Sequence, residues 1–224
     1  MESQDVSTEV LIKFWPWLEA NRKRLIIVGT GAAVVLLVWY FYTTRREQKA
    51  VDAGVAYTQL QLSLPANPTP QQVADAFLKL AGQYAGTLAA DRAQLQAAAA
   101  LFEAGRYADA QVLFQKFLNT NDGSPLAAAA QLGEAASLEA AGKLADAATA
   151  YLAVVKSHPE SNEALSAKFA LGRVLEAQGQ LTEATSYYQE VARAPLAGTL
   201  GSEAGLRLSQ ISAHPAASKP AGKS

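Results

Sequence analysis

Between Leu25 and Tyr42 the chain reads LIIVGTGAAVVLLVWYFY, eighteen residues without a charge or a proline. At about 1.5 Å of rise per residue, a helix of that length covers about 27 Å, close to the ~30 Å hydrocarbon thickness of a bilayer. No polar stripe recurs at a period of 3.6, as it would on a helix that covers a soluble core. The pattern predicts one transmembrane helix over 25–42. Arg22, Lys23 and Arg24 abut one end, and Arg45 and Arg46 the other. Trp15 and Trp17 lie outside the first end, and Trp39, Tyr40, Phe41 and Tyr42 crowd the second, where such rings suit the membrane–water boundary. A cleaved signal fits less well, because Thr43, Thr44, Arg45 and Arg46 follow the run in place of a small-residue cleavage site. Lys13 joins Arg22, Lys23 and Arg24 on the N-terminal side, against Arg45, Arg46 and Lys49 on the other, a slight bias toward an inside N-terminus.

The preceding segment, 1–24, is read as a cytoplasmic tail. Ser7 or Thr8 can cap a short helix with Val10, Leu11, Phe14, Trp17 and Leu18 on one side, which Pro16 should bend or break. It reads either as an interfacial helix or as a disordered tail with chance aromatics. After the span, Arg45 to Leu64 holds no helix breaker except Gly54. Val51, Val55, Tyr57 or Thr58, and Leu62 recur there at helical spacing as its apolar face. The span is thus expected to run on into the first soluble helix and to end at Leu64-Pro65. Thr69 then caps a helix that carries Pro70 at its first position and Val73, Phe77 and Leu80 on its inner face.

From about Leu88 the pattern repeats. Gly105, Gly142 and Gly179 are 37 residues apart, as are Leu101, Leu138 and Leu175, Ala110, Ala147 and Ala184, and the aromatics Phe114, Tyr151 and Tyr188. Each position has a physical reading. The glycine ends a first helix where φ > 0 is wanted. The next residue but one (Tyr107, Leu144, Leu181) starts a second helix. The alanine sits where two helices cross too closely for a larger side chain, and the aromatic one turn on fills the space beneath the next pair. Phe77 lies 37 residues before Phe114, which suggests a degenerate earlier copy.

These residues resemble the tetratricopeptide repeat, a helix–turn–helix unit with glycine, alanine and aromatic in this order and usually 34 residues long. A period of 37 predicts longer turns between repeats. The family's first-helix glycine appears only as Gly172, with Ala98 and Ala135 in the other copies, and its early tryptophan is absent. The expected fold is all-α, a tetratricopeptide-like helical-hairpin solenoid behind a single transmembrane helix. Its parts are a linking helix and degenerate first repeat over 43–87, three repeats over 88–197, a capping helix over 198–213 and a disordered tail over 214–224.

A net charge of −1 gives no electrostatic case for nucleic acid. There is no cysteine, and His158 and His214 stand far apart, so no thiolate, disulfide or metal-ligand spacing is present. Asp109, Asp146 and Glu183 recur with the repeat, which makes them first-turn acids of the scaffold. No catalytic, cofactor-binding or metal-binding residue is assigned, and no cofactor or small-molecule substrate is expected. Binding is the expected activity, on the concave side that first helices line in such stacks. In the family register that side carries Arg92, Leu95, Ala99 and Phe102, then Ala129, Leu132, Ala136 and Glu139, then Ser166, Phe169, Arg173 and Glu176. The set is mostly small and apolar, so an extended apolar segment or a partner helix fits it better than an acidic tail. Leu95, Leu132 and Phe169 can equally be core.

The whole layout is similar to the YfgM family: a tryptophan-containing tail, one span flanked by basic residues, a Leu-Ala-Gly-Gln-Tyr segment over 80–84 and degenerate repeats. The resemblance implies an ancillary subunit of the bacterial SecYEG translocon, anchored in the inner membrane with its N-terminus cytoplasmic and its repeats periplasmic. It also implies protein partners: translocon subunits, a membrane-anchored periplasmic chaperone and exported polypeptides. A scaffold for another envelope assembly, such as cell-wall or division machinery, has the same layout.

Overall fold

The computed structural model describes residues 5–121, 123–195 and 197–213, with the backbone alone described for 5–16 and 18. These residues form nine α-helices and no strand: α1 (Asp5–Ser63), α2 (Pro70–Gln83), α3 (Leu88–Glu103), α4 (Tyr107–Thr120), α5 (Ala127–Ala140), α6 (Leu144–Ser157), α7 (Asn162–Ala177), α8 (Leu181–Arg193) and α9 (Gly198–Ala213). The chain divides into two compact units, Met1–Val51 and Asp52–Ser224.

In the first unit α1 is unbroken, which corrects the expected break at Pro16 and places Ser7 and Thr8 inside the helix rather than at a cap. An interior proline forfeits one hydrogen bond and costs about 3 kcal/mol. Here strong helix formers without glycine flank it, Leu18, Glu19 and Ala20 on one side and Leu11 and Lys13 on the other, so the helix resumes. From Glu19 onward α1 is long and apolar enough to cross a membrane, with a mean hydropathy of 2.1 over its best window and none of that window buried. Trp17, Trp39 and Tyr40 are exposed. The ring of Trp15, the start of the chain (1–4) and the tail 214–224 lie outside the described residues.

In the second unit helices α2 to α9 pack sequentially, each on the next, and the last turns of α1 pack on the first of them through Ala56, Tyr57 and Leu60. The second helices carry the period: α2, α4, α6 and α8 start at Pro70, Tyr107, Leu144 and Leu181, each 37 residues after the last. Turns within the last three hairpins hold three residues (104–106, 141–143, 178–180), whereas the turn 64–69 between α1 and α2 holds six and those between repeats hold four to six. The short turn is closed by glycine. Gly105, Gly142 and Gly179 have φ of 74°, 77° and 77°, a region closed to most other residues. The N–H groups of Gly105 and Arg106 donate to the carbonyls of Phe102 and Leu101, and both later turns repeat this pair of bonds, the Schellman end that satisfies orphan carbonyls. Thr69 and Gln72 form a full capping box on α2, and Thr87 and Ser161 cap α3 and α7.

The interior repeats as the turns do. Ala110, Ala147 and Ala184 are fully buried; beside them Phe114, Tyr151 and Tyr188, with Phe117, Val154 and Val191 one turn on, fill the stack. Phe77 and Leu80 hold the equivalent places in α2. First helices contribute alanines at the same interval: Ala53, Ala90, Ala127 and Ala164, all buried, and Ala56, Ala93, Ala130 and Ala167. The end of α1 therefore turns inward through Ala53, Ala56, Tyr57, Leu60 and Leu64, with the Tyr57 ring 5.6 Å from that of Phe77. This overturns the expected apolar face: Val51, Val55 and Leu62 are 66%, 62% and 83% exposed. Small side chains let the helices approach closely, and the branched residues are left on the outside.

Candidate partner-binding face

The first helices touch their counterparts in neighbouring hairpins, α3 with α5, α5 with α7 and α7 with α9, which aligns one edge of each on a common face. The expected binding residues all belong to α3, α5 and α7, and the structure divides them into two groups with different chemistry.

In the N-terminal half, Arg92, Leu95 and Ala99 of α3 join Ala129 of α5 around a groove of about 350 Å³. Tyr57, Gln96, Phe114 and Leu126 complete its wall. Arg92 is exposed, and Leu95, Ala99 and Ala129 are half-buried. Val55, Thr58 and Leu62 on α1 occupy the places that Arg92, Leu95 and Ala99 hold one period later, so the exposed apolar positions of α1 belong to the same register. Phe102 is only half-buried, but its ring is held 5.2 Å from that of Tyr107 across the hairpin turn.

In the C-terminal half the residues face one another. Phe169 is 6% exposed, with its ring 5.6 Å from Tyr188, and belongs to the core; it is not available to a partner. Leu132 packs against the same cluster. Ala136 and Ser166 are half-buried. Glu139 accepts from the Tyr151 hydroxyl at 2.7 Å and from Arg173 Nη2 at 2.9 Å. Glu176 accepts from the Tyr188 hydroxyl at 2.7 Å and has Arg207 Nη1 at 3.7 Å. One tyrosine–glutamate–arginine chain thus repeats, each running from a second helix to its own first helix and on to the first helix that follows. Burial first, then the bond to the carboxylate and its charge, push both tyrosine hydroxyls above their ordinary range, while the arginines oppose the shift. For Arg173, burial works against the cation and is the largest influence, and the bond to Glu139, the charge of Glu139 and the charges of Tyr151 and Tyr188 outweigh it only together.

Sequence reading missed these chains and assigned Glu139, Arg173 and Glu176 to a partner. The signal was present: each tyrosine lies twelve residues after its glutamate, and Phe102 and Phe114 are the apolar version of the same pair. A first-helix arginine follows each glutamate only at unequal intervals, at Arg173 and Arg207, so the period does not reveal it.

Among the described residues no three His, Asp or Glu side chains gather as a metal site. His158 caps the end of α6, its backbone N–H donating to the Val154 carbonyl. Asp109, Asp146 and Glu183 sit in the first turns of α4, α6 and α8, and Asp109 pairs with Arg106 at 2.6 Å.

No curated protein matches the chain. Among solved structures, one similar chain is the crystal structure of nearly identical TPR-like repeats of a Podospora anserina protein described as a kinesin light chain. It is 19% identical, with a TM-score of 0.43, covering 79% of this chain and 98% of that one. The family described as "Tetratricopeptide repeat-like domain" matches residues 15–212 and so takes in the apolar stretch as well as every helical hairpin. By that match this chain belongs to the tetratricopeptide repeat-like domain family.

Proposed function

We propose that this protein is a membrane-anchored adaptor that works by protein–protein recognition, with α1 as its anchor and the first helices as its binding face. A repeat fold of this family suggests an interaction role in itself. The observation that carries the reading is the groove of about 350 Å³ between α1, α3 and α5. Its walls are mostly apolar, and among the described residues Arg92 is the one charged residue lining it. An extended apolar segment or an amphipathic helix from another protein suits that surface. The Glu139–Arg173 and Glu176–Arg207 pairs turn this part of the face away from acidic peptides, since Arg173 and Arg207 already have carboxylate partners.

The more specific reading is an ancillary factor of the bacterial Sec translocon, working with a membrane-anchored periplasmic chaperone on exported chains. The layout that resembles the YfgM family supports it: a basic-flanked apolar helix followed at once by degenerate repeats. In this reading the N-terminus is cytoplasmic and the repeats are periplasmic. A scaffold for another envelope assembly is the alternative. Protease accessibility in intact spheroplasts, followed by crosslinking and identification of bound proteins, tests both readings. Digestion of the repeats from outside, with translocon or chaperone subunits attached, is the expected result. Protection of the repeats overturns the periplasmic placement, and cell-wall or division proteins in the crosslinks favour the alternative.

A further inference from the structure

At the end of the apolar run two guanidinium groups lie stacked on two rings. Arg45 Cζ is 5.3 Å from the centroid of Phe41, and Arg46 Cζ is 5.5 Å from that of Tyr42. In each pair the arginine follows its ring by four residues, and helical side chains lean toward the N-terminus, so both guanidiniums are drawn back over the last turn of the apolar stretch. Stacking occupies a guanidinium's face and leaves its N–H edge open. Among the described residues no carboxylate pairs with either edge. The hydroxyls of Thr43 and Thr44, between the rings and the arginines in sequence, are already bonded to the carbonyls of Trp39 and Tyr40. The opposite end of the run differs. Arg22, Lys23 and Arg24 have Leu18, Glu19 and Ala20 four residues before them, none of which carries a ring.

We propose that Phe41, Tyr42, Arg45 and Arg46 form a headgroup site for an anionic phospholipid, in which the two guanidinium edges hold the phosphate oxygens. This rests on the reading of α1 as a membrane span. A planar N–H fork matches two oxygens of one phosphodiester, which a lysine ammonium does not. Rings of this kind settle at the depth of the headgroups, which brings the forks to the phosphates. Two fixed cations beside one acid, Glu47, leave the site positive, so it favours a headgroup of net negative charge over one whose ammonium cancels its phosphate.

Native mass spectrometry of the full chain released from detergent micelles tests the site, with phosphatidylglycerol or phosphatidylcholine of matched acyl chains as the probe. The wild-type chain should retain phosphatidylglycerol several-fold more than phosphatidylcholine. Arg45→Gln with Arg46→Gln should bring the two lipids level, and Arg45→Lys with Arg46→Lys should recover only part of the preference. Arg22→Gln with Arg24→Gln should leave it as in wild type. Undiminished preference in the glutamine pair, full preference in the lysine pair, or retention of a second copy of the chain in place of lipid would each overturn the site. Alkaline carbonate extraction of wild-type membranes separates the two ideas. Protein that stays in the membrane without lipid preference sinks the headgroup site alone, whereas protein that is extracted sinks the span and the site together.

Discussion

Arg173 and Glu139 are thirty-four positions apart in sequence and joined in space, with Nη2 of the arginine 2.8 and 2.9 Å from the two carboxylate oxygens. The carboxylate is the better buried partner, and it also accepts from Tyr151. Half of the arginine side chain remains in contact with solvent, so the pair is screened and its net value is about 0.5–1 kcal/mol. A double-mutant cycle of Arg173→Ala and Glu139→Gln, read by urea denaturation, should give a coupling energy of that size that shrinks as salt is raised. A coupling of zero at low salt would mean that the bridge adds nothing to the joint between α5 and α7.

The tyrosines of the two chains make a prediction at high pH. Both hydroxyls ionise above their ordinary value near 10 in the folded state, chiefly through burial. The unfolded chain releases those protons first, so the stabilisation is complete below about pH 10 and is lost as pH rises beyond it. Stability measured from pH 8 to 11 should fall at the upper end. The slope should flatten in Tyr151→Phe and flatten further when Tyr188→Phe is added. An unchanged slope in the double variant would show that alkaline loss arises elsewhere.

Glycine positions separate close packing from mere helix propensity. A Cβ built on Gly133 would overlap Cζ of the buried Phe114 ring, and one on Gly172 would lie 2.9 Å from Tyr188. Neither ring can move without disturbing the core, so Gly133→Ala should cost about 1–3 kcal/mol despite alanine's better helix propensity. Gly205 in α9 has nothing within 4 Å, and there the same substitution should stabilise by about 0.5–1 kcal/mol. Thermal melts of the two variants should move in opposite directions. A rise in both melting temperatures would contradict the close approach of Phe114 to α5.

Much of the scaffold was legible because it is periodic. Gly105, Gly142 and Gly179 recur at a fixed interval since each closes the same turn, and the alanine and aromatic that follow recur since each meets the same neighbour. The end of α1 was misread for a physical reason. Val51, Val55 and Leu62 look like a core stripe, yet Ala53 is the fully buried residue there, and Ala56, Tyr57 and Leu60 are the ones that pack on the core. Aligning Ala53 with Ala90, Ala127 and Ala164 would have corrected it. On the candidate face, position in the register indicated which residues share a side but not whether they point at a partner or at one another. Phe169 and Arg173 are four residues apart on α7, one in the core and one bridged to Glu139, and only the packing of α5 and α8 decides that.

Substitutions on the face should separate binding from stability. Phe102 is not the cleanest probe, because its ring rests on Tyr107 and Phe102→Glu would strain the hairpin turn. Leu62 and Val55 are largely exposed on α1, and Arg92 is exposed on α3. Surface changes at such sites cost within about 0.5 kcal/mol. Leu62→Glu and Arg92→Glu in the full chain should therefore melt close to wild type. If the groove holds an apolar segment, Leu62→Glu should lower crosslinking to the captured partner several-fold, because a carboxylate must be desolvated to stay in contact. If a carboxylate on the partner meets Arg92, the charge reversal there should lower it as well, and high salt should weaken the wild-type complex in parallel. By contrast, Ala147→Leu, at a fully buried crossing in α6, should cost about 1–3 kcal/mol and lose capture only as the fold is lost. Loss of crosslinking in Ala147→Leu at temperatures where it remains folded, with Leu62→Glu and Arg92→Glu unaffected, would move the partner's docking surface from the first helices to the second.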